Sequence, residues 1–107
     1  KVHGGSMVFL AGHTAGEIAN GSEAFNFTLQ AKRTFDRIKS SMESAGGQLS
    51  DIVSMSVFMT DMRHVSEFQN VLKELFGDNL PASAYVEVTH LARPELLIEI
   101  QPIAVMA

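Results

Sequence analysis

The sequence contains no cysteine. That single absence removes a disulfide scaffold, a thiolate zinc site and a cysteine nucleophile, and it fits a reducing, cytoplasmic setting. Long apolar runs are missing too. Nothing approaches the roughly 18 residues of a membrane span, and Lys1-Val2-His3-Gly4-Gly5 does not resemble a signal peptide. Basic residues are few, eight Lys and Arg against twelve Asp and Glu, for a net charge of −4. Their densest group is Lys32-Arg33 with Arg37 and Lys39, whereas phosphate binding needs tighter clusters. Neither nucleic acid nor membrane is therefore an expected partner. The four histidines show no H-x-x-x-H spacing, so no metal is expected. G-x-S-x-G, P-loop and dinucleotide motifs are absent as well.

What is present is an ordinary folded composition. Apolar residues make up 46% of the 107 and charged ones 19%, enough for one domain over residues 1–107 and not for two. The chain has no initiator Met and opens almost directly into a strand, so a short N-terminal segment is expected to precede Lys1.

Hydrophobic spacing sets the order of elements. Met7 to Ala11 reads as a short buried strand after a Gly4-Gly5-Ser6 turn, and Gly12 ends it. The stretch to Ser22 reads as a loop. From about Glu23, Phe27, Ala31, Phe35, Ile38, Met42 and Ala45 recur every three or four residues and trace one helix face, stopped by Gly46-Gly47. Ile52 to Met59 alternates as a strand, with Val53, Met55, Val57 and Met59 on one side and Ile52, Ser54, Ser56 and Phe58 on the other. Phe68, Val71, Leu72, Leu75 and Phe76 define a second helix, closed by Gly77-Asp78-Asn79. Ser83 to Thr89 and Leu97 to Val105 read as the two strands of a hairpin, and Pro102 marks an end, bulge or edge. The order is β-α-β-α-β-β, an α/β (α+β) sheet with both helices on one face.

Two helices leave the other sheet face to solvent or a partner. Parity in the hairpin puts Ala84, Val86 and Val88 with Ile98 and Ile100 toward the core. It puts Ser83, Tyr85 and Glu87 with Leu97, Glu99, Gln101 and Ile103 on the open face. That mixture of apolar, small and acidic residues suits an oligomer interface with a wet, acidic cleft. A monomer with a half-polar sheet face is the alternative.

The segments GGQLSDIV, VFMTDM, GDNLPA and YVEV…LARPELLIEI together resemble the Rid family (reactive intermediate deaminases, also called YjgF-like or L-PSP endoribonuclease-like) from about Gly5 to Val105. The resemblance implies a chorismate-mutase-like fold and a homotrimer with small-molecule clefts between subunits. It further implies hydrolysis of enamines or imines to a carbonyl compound and ammonia, without a cofactor. The family's water-handling glutamate falls on Glu99, and the glycine ending its first strand falls on Gly12. Its carboxylate-gripping arginine is replaced by Ser83, a cysteine position by Tyr85 and a second glutamate by Gln101.

A serine offers neither the charge nor the fork of a guanidinium. The resemblance therefore implies altered specificity, with a neutral or cationic imine fitting better than an acidic one unless Arg93 or a neighbouring subunit supplies the charge. Glu99 is the candidate catalytic residue; Gly12, Ser83, Tyr85 and His13 are candidate substrate contacts. A non-catalytic trimeric ligand-binding or regulatory module is the competing function. Ribonuclease action or translation inhibition is a third, and the acidic balance counts against it.

Overall fold

The computed structural model describes residues 5–16 and 26–107. Most of the expected loop before Ser22, and the helix start expected near Glu23, lie outside the described residues. The elements are β1 (Ser6–Phe9), α1 (Phe27–Ser44), β2 (Ile52–Met59), α2 (Val65–Phe76), β3 (Ala82–Glu87) and β4 (Ile98–Met106), with single 3-10 turns at Leu49–Asp51 and Met62–His64. This is the expected β-α-β-α-β-β order. The sheet runs β1-β4-β2-β3, with β2 and β3 parallel and the other pairs antiparallel.

Helix α1 forms where Phe27, Ala31, Phe35, Ile38 and Met42 line one buried stripe. Asn26 caps its start by accepting from Leu29 N at 3.1 Å. At its end Gly47 N donates to Met42 O and Gly46 N to Glu43 O, with Gly46 at φ 87°. That pair of bonds is a Schellman stop, and it uses the left-handed conformation glycine allows. Ala45 follows the stripe and is exposed.

Helix α2 buries Phe68, Val71 and Leu72 but leaves Leu75 41% exposed. Phe35 joins the two helices, with its ring centroid 6.0 Å from Phe68 and 5.7 Å from Phe76. Beneath them lie Met55, Val57 and Met59 of β2 and Ile98 and Ile100 of β4, all fully buried. Each such side chain contributes about 1.5–3 kcal/mol of burial free energy.

The hairpin does not form. Strand β3 pairs with β2 in parallel, Met55 opposite Ser83 and Val57 opposite Tyr85. Strand β4 pairs with the other side of β2, Val57 opposite Ile100 and Phe58 opposite Glu99. Helix α2 is the crossover of a β-α-β unit, which returns the chain parallel to β2. Segment 88–97 then passes the end of β2, where Val88 N donates to Met59 O and Thr60 N to Leu97 O.

This register also corrects the parity of β3. Ser83, Tyr85 and Glu87 share the helix-covered face with Met55, Val57 and Met59, whereas Ala84 and Val86 lie on the open face. Glu87 and Glu99 therefore do not share the open face, and β2 lies between their strands.

Three smaller expectations change for local reasons. A register shift between Ile52 and Ser54 sets Ile52 opposite Ala104, so Ile52 turns into the core rather than joining Ser54, Ser56 and Phe58. Strand β1 is an edge, with Met7 62% and Phe9 70% exposed, not a buried strand. Pro102 sits inside an interior strand and is buried. Its carbonyl accepts from Leu10 N at 3.1 Å, so its nitrogen also faces β1, where the ladder is already breaking up.

Candidate functional site

The chain past β1 stays beside β4 with one residue too many. Leu10 bonds to Pro102, while His13 exchanges both backbone bonds with Ile100 at 2.7 and 2.8 Å. Three steps along one strand against two along the other make a bulge. The bulge carries the Gly12 backbone over the side chain of Glu99. A Cβ on Gly12 would overlap the Glu99 carboxylate, so a close approach, not a positive φ, accounts for this glycine.

Glu99 is half-buried and faces the uncovered side of the sheet, opposite Phe58 of β2. Gln101 lies next along that face opposite Ser56, and Phe9 pairs with Ile103 beyond it. Glu99 is thus a carboxylate set among apolar and small side chains.

His13 turns the other way, onto α1. Its Nδ1 lies 2.7 Å from Ala11 O and its Nε2 lies 2.8 Å from Ser41 Oγ. A carbonyl can only accept, so in the neutral ring Nδ1 donates and Nε2 accepts from the serine hydroxyl. Both ring nitrogens are engaged within the chain, and this ring lies away from Glu99.

Ser83 and Tyr85 open on the helix side. The Tyr85 ring meets Phe68 edge-on, centroids 5.8 Å apart and planes at 86°. The Ser83 hydroxyl donates to Pro81 O at 3.3 Å. Together they line an open depression of ≈ 370 Å³ between α2 and β3, which Lys73 and Gln69 also border. Neither Lys73 nor Gln69 stood out in the sequence, because the parallel crossover that brings α2 beside β3 was not foreseen. Arg93 is not at this depression; its Nε lies 3.3 Å from Glu95 Oε1.

The strongest local electrostatics lie at the entry to α2. The Arg63 guanidinium, with the Arg63 backbone N–H second, holds the Asp61 carboxyl down at about 2. Glu67 is also held below its ordinary value, first by His64 and then by the Thr28 hydroxyl. His64 stacks on Phe27 at 4.5 Å, so this corner ties the two helices together. Among the described residues, no three His, Asp or Glu side chains converge as a metal site, and no helix is long and apolar enough to cross a membrane.

Comparison with known proteins gives this geometry its context. Residues 1–106 match the family model described as endoribonuclease L-PSP. A RutC family protein of Pyrococcus abyssi is 34% identical over 105 residues, covering 94% of this chain and 79% of the relative. The 2-iminobutanoate/2-iminopropanoate deaminase of Salmonella typhimurium is 31% identical over 104 residues, 94% of this chain and 80% of its own. Among solved structures, a YjgF-family member from Mycobacterium tuberculosis superposes with a TM-score of 0.82 at 31% identity, covering 97% of this chain and 82% of that one. The YjgF gene product of Escherichia coli gives 0.83 at 28%, covering 99% and 85%. The chain belongs to the endoribonuclease L-PSP family, also known as the Rid or YjgF family.

Proposed function

We propose that this protein is a cofactor-independent hydrolase of imines or enamines, releasing a carbonyl compound and ammonia, with a substrate range altered by Ser83. The observation that carries the reading is the half-buried Glu99 carboxylate packed against Gly12, opposite Phe58 on the uncovered sheet face. A relative named for deamination of 2-iminobutanoate and 2-iminopropanoate supports it.

In this reading Glu99 takes a proton from water as the water oxygen bonds to the imine carbon. The C=N electron pair passes to nitrogen, which takes that proton back from Glu99; the hydroxyl proton of the adduct then follows to nitrogen, and the C–N bond breaks as C=O forms and ammonia leaves. The Gly12 backbone confines the carboxylate beside that water.

Ser83 and Tyr85 open on one side of the sheet and Glu99 on the other, so one copy does not present all three to one small substrate. A homotrimer resolves this if the open face of one copy meets the α2–β3 edge of the next. The exposed Met7, Phe9 and Val86 supply apolar surface for such contact. A non-catalytic binding role is the second reading, favoured by the uncharged side chain at Ser83.

Ammonia release from freshly generated imines, carboxylated and neutral, tests the proposal. Turnover that falls about 10²–10⁴-fold in Glu99→Ala is the expected result. No release from either class, with reproducible thermal shifts by small metabolites, would place the protein with the binders.

A further inference from the structure

The depression between α2 and β3 has a chemical character of its own. Its walls are apolar, formed by Leu72, Leu80, Pro81 and the Tyr85 ring. Leu80 is 49% exposed, surface that a ligand would cover. The polar groups at its border are the Gln69 amide, the Lys73 ammonium, the Ser83 hydroxyl and the Tyr85 phenol, and no carboxylate is among the described lining residues.

Among the described residues Lys73 is the one cation there. It sits in the last turn of α2, and its side chain makes no ion pair or hydrogen bond among the described residues. Two neighbouring carboxylates are engaged elsewhere, and Asp78, in the turn after α2, is not among the lining residues. Glu74 reaches Lys32 at 3.3 Å, and Glu87, two residues past Tyr85 on the same face, accepts from Met62 N at 2.9 Å. A lone ammonium beside an apolar trough and two hydroxyls complements a small organic anion with a hydrophobic body.

We infer that Lys73 is the charge-recognition residue of this groove, binding the carboxylate of small monocarboxylates with an apolar chain. Leu72, Leu80 and Tyr85 take the chain, and the Ser83 and Tyr85 hydroxyls add neutral hydrogen bonds. An ammonium is a point charge on a flexible stem, so this grip accepts carboxylates of varied orientation with less geometric demand than a guanidinium fork. The inference assigns a charge-recognition residue to the proposed hydrolase and rests on that reading for the reaction, though not for the binding. It reverses the preference for neutral ligands that Ser83 alone suggests.

The experiment is calorimetric titration of the full chain with 4-methyl-2-oxopentanoate and with its methyl ester, for wild type, Lys73→Met, Lys73→Arg and Glu99→Ala. Lys73 is exposed on a helix, so Lys73→Met keeps the apolar stem without disturbing the core. The carboxylate is expected to bind about tenfold or more weakly to Lys73→Met, the scale of one charge-assisted hydrogen bond. Lys73→Arg is expected to restore binding, and the ester to bind all four proteins alike. Carboxylate binding that is absent, unchanged in Lys73→Met, or matched by the ester overturns the inference. Carboxylate binding that depends on Lys73 in a wild-type protein that hydrolyses no imine overturns the hydrolase reading and leaves this one standing.

Discussion

Tyr85 and Glu99 flank the same strand and face opposite ways. Tyr85 is opposite Val57 and packs edge-on against Phe68 under α2; Glu99 is opposite Phe58 on the uncovered face. Adjacent residues of a strand point to opposite faces, so a whole sheet layer separates the two groups within one copy. In the proposed assembly the α2–β3 groove would hold the ligand and the Gly12–Glu99 pair would handle water, the two meeting across a subunit boundary.

The contact between Gly12 and Glu99 predicts a coupling of definite sign. Gly12→Ala pushes a methyl group into the Glu99 carboxylate, which must swing aside, and is expected to lower the unfolding free energy by about 1 kcal/mol. Adding Glu99→Ala removes the group in the way. The double variant is therefore expected to be more stable than the sum of the single changes by about 1 kcal/mol. Urea denaturation of the four proteins checks this, and additive losses would contradict it.

Gln30 predicts a large stability effect far from Glu99. It is 1% exposed; its amide nitrogen donates to Glu95 O at 2.7 Å and its oxygen accepts from Leu97 N at 2.8 Å. Those bonds fasten the segment before β4 to α1. Gln30→Leu fills similar volume but leaves both backbone groups without their partner, a cost of about 2–4 kcal/mol. Chemical denaturation measures it, and amide exchange at Leu97 is expected to quicken.

Acid stability should depend on Asp61. Its folded value of about 2 lies below the ordinary 3.8, so folding favours the ionised form. That contribution is complete above the unfolded value and is lost as pH falls from there through about 2. Glu67, shifted in the same direction by His64, acts in the same sense. Asp61→Asn keeps a capping oxygen without the titration. Its urea midpoint is expected to fall below wild type at neutral pH and converge with it toward pH 2, where an unchanged gap would contradict the assignment.

The open sheet face predicts assembly. Phe9 is 70% exposed with Met7 beside it on an edge strand, which is surface a partner copy would bury. Wild type is expected to sediment as a trimer, and Phe9→Glu to shift toward monomer without loss of helix content. A wild-type monomer at micromolar concentration would remove the assembly argument.

Periodicity alone was enough for the helices, because Phe27 to Met42 and Phe68 to Leu72 repeat at helical spacing and the glycines that stop them have single-residue signatures. The alternation of β2 and β4 also grouped Met55 with Val57 and Met59 and Ile98 with Ile100, all buried, but set Ile52 on the wrong side. Pairing was harder to read. Hydrophobic alternation fixes which residues share a face of a strand, but not which neighbour it joins or which face is covered. Strand β3 alternates small and half-polar residues, Ala82-Ser83-Ala84-Tyr85, with little hydrophobic contrast to orient it. For that reason Ser83 and Tyr85 were placed with Glu99 rather than against it. The bulges at residues 11–12 and 53 were likewise silent, since an extra residue leaves no compositional mark. The chemistry-bearing positions came from the family pattern, and their placement came from the sheet register.

The central claim, a site completed by two copies, is tested most directly by complementation. Glu99→Ala and Tyr85→Ala each carry one defect and are expected to release little ammonia from imines alone. Refolded together at equal amounts, they are expected to form mixed trimers in which some clefts combine an intact Glu99 with an intact groove from the neighbour. Activity is predicted to recover to about a quarter of wild type by random assembly of a cyclic oligomer. Mixed assemblies that stay as inactive as the separate variants would contradict the account.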